Sequence, residues 1–194
     1  MLNLRKCGHK DLERYYSLLE MDFAKEEIIS KLSLHRALLN GSAELLVVYD
    51  EESSLEVAYA LVLTKNLYGY VLLKYMAVLA WYRGKGVGIA AMRLINKRYA
   101  DRQGIIAELT SFEDEDGSMI KGLRKFFARF GYVVVDSDYR IGGAPVELMV
   151  KPIKGTFEIE PVEHRIINDF YTRILNPFAM DKMIDIRPVR KPEE

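Results

Sequence analysis

The spacing of apolar residues changes along the first 40 positions, and each change marks a boundary between predicted elements. Residues 2–6 alternate between apolar and polar, which predicts a short strand. Apolar positions then recur at helical spacing after Asp11, a residue type that often precedes a helix, and again across residues 25–39. The buried side of this second predicted helix would carry Ile28, Ile29, Leu32 and Leu39.

Three apolar runs rich in β-branched and aromatic residues follow. Residues 45–49 and 57–63 flank the polar turn at 50–54, which is the pattern of a β-hairpin. Residues 71–79 form the third run, whose single charge is Lys74, and predict a largely buried strand. Helical spacing then returns in a segment that ends at Gly104. Its apolar face would carry Val87, Ala90, Ala91, Leu94 and Ile95.

The next part of the chain alternates strands and a helix. Residues 104–109 predict a strand, Ser118 can cap a helix that Gly131 ends, and residues 132–135 and 146–150 predict two strands joined through Gly142-Gly143. The helix would bury Met119, Leu123, Phe126, Phe127 and Phe130.

A boundary falls at residues 152–155, so we expect a domain over residues 1–152 and an extension over 153–194. The sequence of the extension predicts a strand over 156–159, a helix over 162–175 and a tail interrupted by prolines. Ile166, Ile167, Phe170, Ile174 and Leu175 recur at helical spacing, so one face must be covered by this domain or by a second copy. Because two-fold contacts are the commonest symmetric arrangement, we expect a homodimer in which the extension takes part.

Composition excludes several classes of function. The 194 residues carry 28 Lys+Arg and 28 Asp+Glu, so the chain lacks the positive field of a duplex-binding protein, and we expect no nucleic-acid partner. One cysteine and three histidines without ligand spacing predict neither a disulfide framework nor a metal site. No apolar run is long enough to span a bilayer, and no leader pattern opens the chain, so we expect a cytoplasmic protein without a membrane partner.

The informative stretch lies between the third apolar run and the following helix. Three glycines, at 84, 86 and 88, alternate with Lys85 and Val87 and follow Arg83. Glycines let several backbone N–H groups converge on one anion, and the start of a helix adds partial positive charge. The pattern predicts a phosphate or pyrophosphate site at residues 83–89.

A dinucleotide site is the alternative interpretation of the same glycines. Gly86-x-Gly88-x-x-Ala91 fits the dinucleotide fingerprint, and Glu108 follows Gly88 at the usual distance of about 20 residues. The motif lies in mid-chain, however, and too little chain follows it for the alternating strands and helices of that fold. An oxidoreductase of this type is therefore the less favoured alternative.

Arg83-x-x-Gly86-x-Gly88, placed after the Met76-Ala77-Val78 strand, resembles the acyl-CoA pyrophosphate loop of the GCN5-related N-acetyltransferases (GNAT). The order of predicted elements and the Phe126–Tyr132 segment also resemble that family, over about residues 2–151. The resemblance implies an α/β fold with a mixed, mostly antiparallel sheet flanked by helices. Its middle strands would separate to admit the cofactor.

The resemblance further implies acetyl-CoA as co-substrate. Its acetyl group would pass directly to the primary amine of a small molecule or peptide in a ternary complex. Glu108 would be the base, because it matches a glutamate of the ribosomal-protein N-terminal acetyltransferases. The cofactor-binding residues would be Met76, Ala77 and Val78 for the pantetheine arm, and Arg83, Gly84, Lys85, Gly86, Val87, Gly88 and Ile89 for the pyrophosphate.

One departure from the family pattern concerns the residue that acts as an acid toward the leaving coenzyme A. Phe127 stands where many relatives have the tyrosine that protonates the coenzyme A thiolate, and phenylalanine cannot donate a proton. Candidate substitutes are Tyr75, Tyr82 and Tyr139, and a catalytically silent acyl-CoA-binding module is an alternative function. A run of four acids at 113–116 would favour a cationic acceptor if it lined the acceptor groove.

Overall fold

The structure is a computed structural model that describes residues 1–110, 117–155 and 167–186. Its strands are β1 Leu2–Cys7, β2 Ala43–Asp50, β3 Glu56–Leu63, β4 Tyr70–Val78, β5 Gly104–Thr110, β6 Val133–Ile141, β7 Ala144–Pro152 and β8 Ile184–Ile186. Its α-helices are α1 Leu12–Asp22, α2 Lys31–Leu39, α3 Val87–Arg98, α4 Ser118–Ala128, α5 Asn168–Thr172 and α6 Pro177–Met183.

The strands form one sheet in the order β1-β2-β3-β4-β5-β7-β6-β8. Among the described ladders only β4 and β5 pair in parallel, from Tyr70 opposite Gly104 to Leu73 opposite Ala107. The predicted α/β fold with a mixed, mostly antiparallel sheet is therefore confirmed.

The parallel pair opens into a fork. Pairing ends at Leu73 and Ala107, although β4 continues to Val78 and β5 to Thr110. At the same point β4 carries one more residue than β3, because Leu61 pairs with Tyr75 and Val62 pairs with Leu73. Lys74 is the extra residue of this bulge. Since a bulge bends its strand and increases the local twist, it turns β4 away from β5. We call the gap between residues 74–78 and 108–110 the fork.

Helices cover both faces of the sheet. One face packs against α1, α2 and the residues from 167 onward in a core that includes Leu19, Leu34 and Phe170. The other face packs against α3 and α4 around Met92 and Phe127. The fork lies between these two apolar layers.

The predicted second helix is wrong in extent and in its buried face. The chain forms a short 3₁₀ turn at Lys25–Glu27, and α2 begins after Ser30, whose side chain accepts a hydrogen bond from the Ser33 N–H at 3.3 Å. Because the helix starts at Lys31, its inner face carries Leu34 and Ala37. Leu32 and Leu39, which were expected to be buried, are exposed.

Residues 167–186 of the extension pack on their own domain. Ile167, Phe170, Tyr171, Ile174 and Leu175 are buried in the same core as α1, and β8 pairs with β6. The predicted strand at 156–159 and the first part of the predicted helix lie outside the described residues. The sequence prediction missed α6 and β8, although Asn176 followed by Pro177 is a recognisable helix start: the Asn176 side chain accepts from the Ala179 N–H at 2.8 Å.

Over the described ranges, none of the helices combines the length and the apolar character needed to cross a bilayer.

Two phenylalanines of the extension provide a test of this packing. Phe170 is 1% exposed and Phe178 is 69% exposed. We expect Phe170→Ala to lower the free energy of unfolding by about 3–5 kcal/mol, because it leaves a cavity in the core. Phe178→Ala should change it by less than about 0.5 kcal/mol. Urea unfolding of both variants measures this difference, and equal, small effects would show that the extension does not belong to the core.

Candidate functional site

The fork opens into a cleft of about 600 Å³. Its walls come from both branches of the fork, the end of α1 with the turn that follows, and α4. The described residues that line it are Asp22, Phe23, Ala24, Glu27, Leu73, Lys74, Met76, Ala77, Val78, Arg83, Glu108, Leu109, Thr110, Met119, Leu123, Phe126 and Phe127. Of the predicted site residues, Met76, Ala77, Val78, Arg83 and Glu108 therefore meet in one cleft.

The glycine loop lies between the end of β4 and the start of α3. Gly84 and Gly86 have φ angles of 74° and 78°, in the left-handed region that favours glycine. The backbone N–H groups of Gly84, Lys85 and Gly86 donate to no backbone carbonyl within the described part of the chain. Together with the first free N–H groups of α3 they form a set of donors at the positive end of a helix, which suits an anion.

Three elements lie close together at Gly88. A Cβ atom built at this position would lie 3.6 Å from Val78 and 3.8 Å from the Phe126 ring. The first turn of α3 therefore packs closely against β4 and α4, with Val87 buried beneath it and Ile89 half-buried.

The two basic side chains of the loop have different positions. Arg83 donates from Nε to the Val78 carbonyl at 2.9 Å and from Nη2 to Asp22 at 2.6 Å, so it bridges the loop to the end of α1. Lys85 donates to the Trp81 carbonyl at 2.9 Å and turns back onto the loop. Arg83 lines the cleft, whereas Lys85 is not among the described residues that do so.

A buried charge cluster lies at the base of the fork. Lys74 Nζ is 2.8 Å from Glu108 Oε2, and the two side chains are 0% and 1% exposed. The Tyr171 hydroxyl lies 3.0 Å and 2.8 Å from the two carboxylate oxygens of Glu108. The Lys74 ammonium lies over the rings of Tyr75 and Tyr171, at 5.1 and 5.6 Å from their centroids.

This cluster is costly to bury. Removing two charges from water costs several kcal/mol per ion, and an apolar pair of similar volume is often at least as stable. Aromatic faces and the Tyr171 hydroxyl offset part of that cost. A buried pair of this kind that also borders a cleft is a physically motivated candidate for chemistry.

The turn after α1 supplies a second buried carboxylate. Glu27 is 8% exposed and accepts from the Thr110 hydroxyl at 2.5 Å and from the Ala24 N–H at 3.1 Å. Its backbone carbonyl accepts from the Tyr75 hydroxyl at 2.7 Å. These contacts fix the turn against the end of β5, on the same face of the sheet as α1.

Solved structures of other proteins share this fold. A GNAT-family protein from Bacteroides thetaiotaomicron aligns over 88% of this chain and 96% of its own, with a TM-score of 0.69 and 18% identity. NAA60 of Arabidopsis thaliana, solved with acetyl-CoA, aligns over 80% of this chain and 100% of its own, with a TM-score of 0.60 and 15% identity.

The ribosomal-protein-S18-alanine N-acetyltransferase of Escherichia coli aligns over 81% of this chain and 97% of its own, with a TM-score of 0.58 and 14% identity. The fold is that of the GCN5-related N-acetyltransferases. No protein-family model and no curated protein matches the chain by sequence.

The GNAT fold disfavours the dinucleotide interpretation. A dinucleotide-binding domain needs a mostly parallel sheet, whereas a single described ladder here is parallel.

Phe127, which the sequence resemblance assigns to the position of the family's tyrosine acid, has no proton to donate. Its ring is 6% exposed, packs edge-on against Phe126 and Tyr132, and lines the cleft. Of the proposed substitutes, Tyr75 is fully buried, and its hydroxyl is held by Glu27 and Ile29. Burial raises the pKa of Tyr75 well above its ordinary value, so it is a poor proton donor.

The other substitutes give no better candidate. Tyr82 belongs to the 3₁₀ turn at Ala80–Tyr82 and is not among the described residues that line the cleft. The side chain of Tyr139 and the acidic run at 113–116 lie outside the described part of the structure.

Sequence reasoning missed two members of the charge cluster. Lys74 had a visible signal, since it is the single charge in an apolar strand. Tyr171 had none, because a tyrosine within a predicted amphipathic helix is typical of core packing.

Proposed function

We propose that the protein transfers an acetyl group from acetyl-CoA to a primary amine. The observation that carries this proposal is the fork between the parallel strands β4 and β5, which begins beside the glycine loop and leads to Glu108. Residues 74–78 of β4 have no partner strand on that side in the described sheet. Their backbone can pair with the amide groups of a pantetheine arm as an added strand would.

The cleft suits each part of the cofactor. The N–H groups of Gly84 to Gly88 would hold the pyrophosphate, with Arg83 near them. The Ile89 N–H, also predicted to take part, instead donates to the Gly86 carbonyl at 3.1 Å. Backbone groups of Met76, Ala77 and Val78 would bind the pantetheine arm. The apolar wall formed by Leu123, Phe126 and Phe127 would cover its methylene groups.

The chemistry is a direct attack of a neutral amine on the thioester carbonyl. A backbone N–H of β4 near Val78 would stabilise the oxyanion, and Glu108 would take the amine proton, directly or through water. Glu108 suits this role because its carboxylate borders the cleft and two neighbours hold it in one orientation.

The acceptor is proposed to be a cationic small molecule or peptide that loses a proton before it reacts. Among the described residues that line the cleft, three carry carboxylates (Asp22, Glu27 and Glu108) and two carry cations (Lys74 and Arg83). The enzyme named above is a ribosomal-protein-S18-alanine N-acetyltransferase, which makes a peptide amine a reasonable first substrate to test. A cytoplasmic homodimer remains part of the proposal.

Thermal shift with acetyl-CoA, CoA and NAD(P) tests the cofactor. A ligand at 100 times its Kd stabilises the native state by about 2.7 kcal/mol, so acetyl-CoA and CoA should raise Tm by several degrees. Stabilisation by NAD(P) and not by CoA would contradict the proposal.

Release of free thiol from acetyl-CoA then tests turnover, with spermidine, lysine and short peptides as acceptors. Acetyl-CoA binding without turnover of any amine would favour the silent module.

A further inference from the structure

The reaction releases a thiolate, which becomes the CoA thiol when a proton reaches the sulfur, and Phe127 cannot supply that proton. The described cleft residues that carry exchangeable protons or charges are Asp22, Glu27, Lys74, Arg83, Glu108 and Thr110. An arginine guanidinium does not act as a proton donor in proteins, and that of Arg83 is engaged with Asp22. The Thr110 hydroxyl donates to Glu27. Lys74 is the remaining cation that can give up a proton and regain it.

The environment of Lys74 suits such a role. The bulge places it at the vertex of the fork, its side chain is fully buried, and it borders the same cleft as Phe127. An ammonium group has three donors, and one of them is used at 2.8 Å by Glu108. Its other described contacts are aromatic faces, which stabilise positive charge without accepting a strong hydrogen bond.

We propose that Lys74 and Glu108 form a proton relay that replaces the missing tyrosine acid, with Tyr171 as a positioning residue. This inference rests on the proposed acetyl transfer.

The protons that the Lys74–Glu108 pair gains and loses are equal over one turnover. The amine nitrogen bonds to the acetyl carbon, and its proton passes to the Glu108 carboxylate. The carbon–sulfur bond breaks, and the sulfur takes a proton from the Lys74 ammonium. Glu108, now protonated, returns its proton to the Lys74 amine across the 2.8 Å contact. The products are the acetylated amine and CoA thiol, and the pair is restored without an outside acid.

Tyr171 holds the pair from the side of the extension. Its hydroxyl contacts both oxygens of Glu108, and its ring lies under the Lys74 ammonium. It is not among the described residues that line the cleft, so it acts through its neighbours and not on the substrate.

The thiol of bound CoA gives a test that needs no acceptor. Thiolate absorbs in the ultraviolet, so a pH titration of the CoA complex reports the pKa of the bound thiol. An ammonium beside the sulfur should lower that pKa by about one unit or more relative to free CoA. Lys74→Met should abolish the shift, whereas Glu108→Gln should enlarge it, because the ammonium then lacks its counter-ion.

Lys151→Met is the matched control, since Lys151 is a half-buried lysine on β7 that donates to the Phe130 carbonyl and does not border the cleft.

A rescue experiment tests the acid itself. Lys74→Met should lower kcat by about 10²-fold or more, and adding Phe127→Tyr should restore part of that loss. Tyr171→Phe should lower kcat and move the acidic limb of the pH–rate profile, with little change in acetyl-CoA affinity.

The outcomes separate the two proposals. CoA binding with no thiol shift in the unmodified protein would overturn the relay, even if Lys74→Met fails to fold. Acetyl-CoA binding without turnover of any amine would overturn both the relay and the acetyl transfer on which it rests. Absence of CoA binding would overturn the acetyltransferase function itself.

Discussion

Gly86→Val should reduce affinity for acetyl-CoA by at least two orders of magnitude while the protein remains folded. Gly86 adopts φ 78°, which a β-branched residue tolerates poorly, so the loop must change conformation and its N–H groups no longer converge. A side chain at this position would also stand where the pyrophosphate must approach the backbone. Isothermal titration with CoA measures the loss.

Gly41→Val is the matched control for backbone strain. Gly41 has φ 72°, and the nearest atoms to its added Cβ are the flexible end of Lys65 at 3.8 Å. It lies between α2 and β2, close to Lys65 and Thr64 and away from the glycine loop. Both variants should lose similar stability, but Gly41→Val should bind CoA normally. Normal CoA affinity in a folded Gly86→Val protein would show that the glycine loop does not belong to the cofactor site.

Glu108→Gln should lower kcat by about 10²- to 10⁴-fold, with little change in acetyl-CoA affinity. The amide preserves the shape of the side chain but cannot take a proton from the amine. Because a base must be ionised, activity of the unmodified protein should fall toward acidic pH, and this limb of the profile should vanish in the variant. Steady-state rates across pH check both points.

The stability of this variant needs its own measurement. Glu108→Gln leaves the Lys74 ammonium buried without a counter-ion, which should lower the free energy of unfolding by about 3–5 kcal/mol. Rates must therefore be measured under conditions in which the variant is folded. Glu44→Gln is the control, since Glu44 is a shielded carboxylate held by Lys6, Arg98 and Tyr99 away from the cleft. Unchanged turnover of folded Glu108→Gln would make the cluster purely structural.

Strong periodicity explains which elements could be predicted. The apolar runs that became β3 and β4, and the spacing that became α3, depend on local patterns that tertiary contacts only reinforce. The prediction of a helix over 25–39 was wrong because the start of the helix depends on contacts between residues that are far apart in the sequence. The Ile29 N–H donates to the Tyr75 hydroxyl of β4 and not to a helical carbonyl, and α2 begins only at Lys31.

The candidate site was predictable only where it was continuous in sequence. The glycine loop is a local motif, and the proposal of Glu108 came from family resemblance. The Lys74–Glu108 contact joins residues 34 positions apart, and the Tyr171 contact spans 63. No local pattern encodes such pairs, because they exist only after the sheet and the extension have packed.

The late position of Tyr171 in the chain has a consequence for biosynthesis. A polypeptide emerges from the ribosome N-terminus first, so β4, the glycine loop and β5 are made well before α5. A nascent chain that lacks residues 167–186 has the strands of the fork, but the Glu108 carboxylate then lacks its tyrosine neighbour and part of its cover from solvent. Translation of residues 167–186 should therefore be the event that completes the surroundings of the proposed base, and growing chains should be inactive until then.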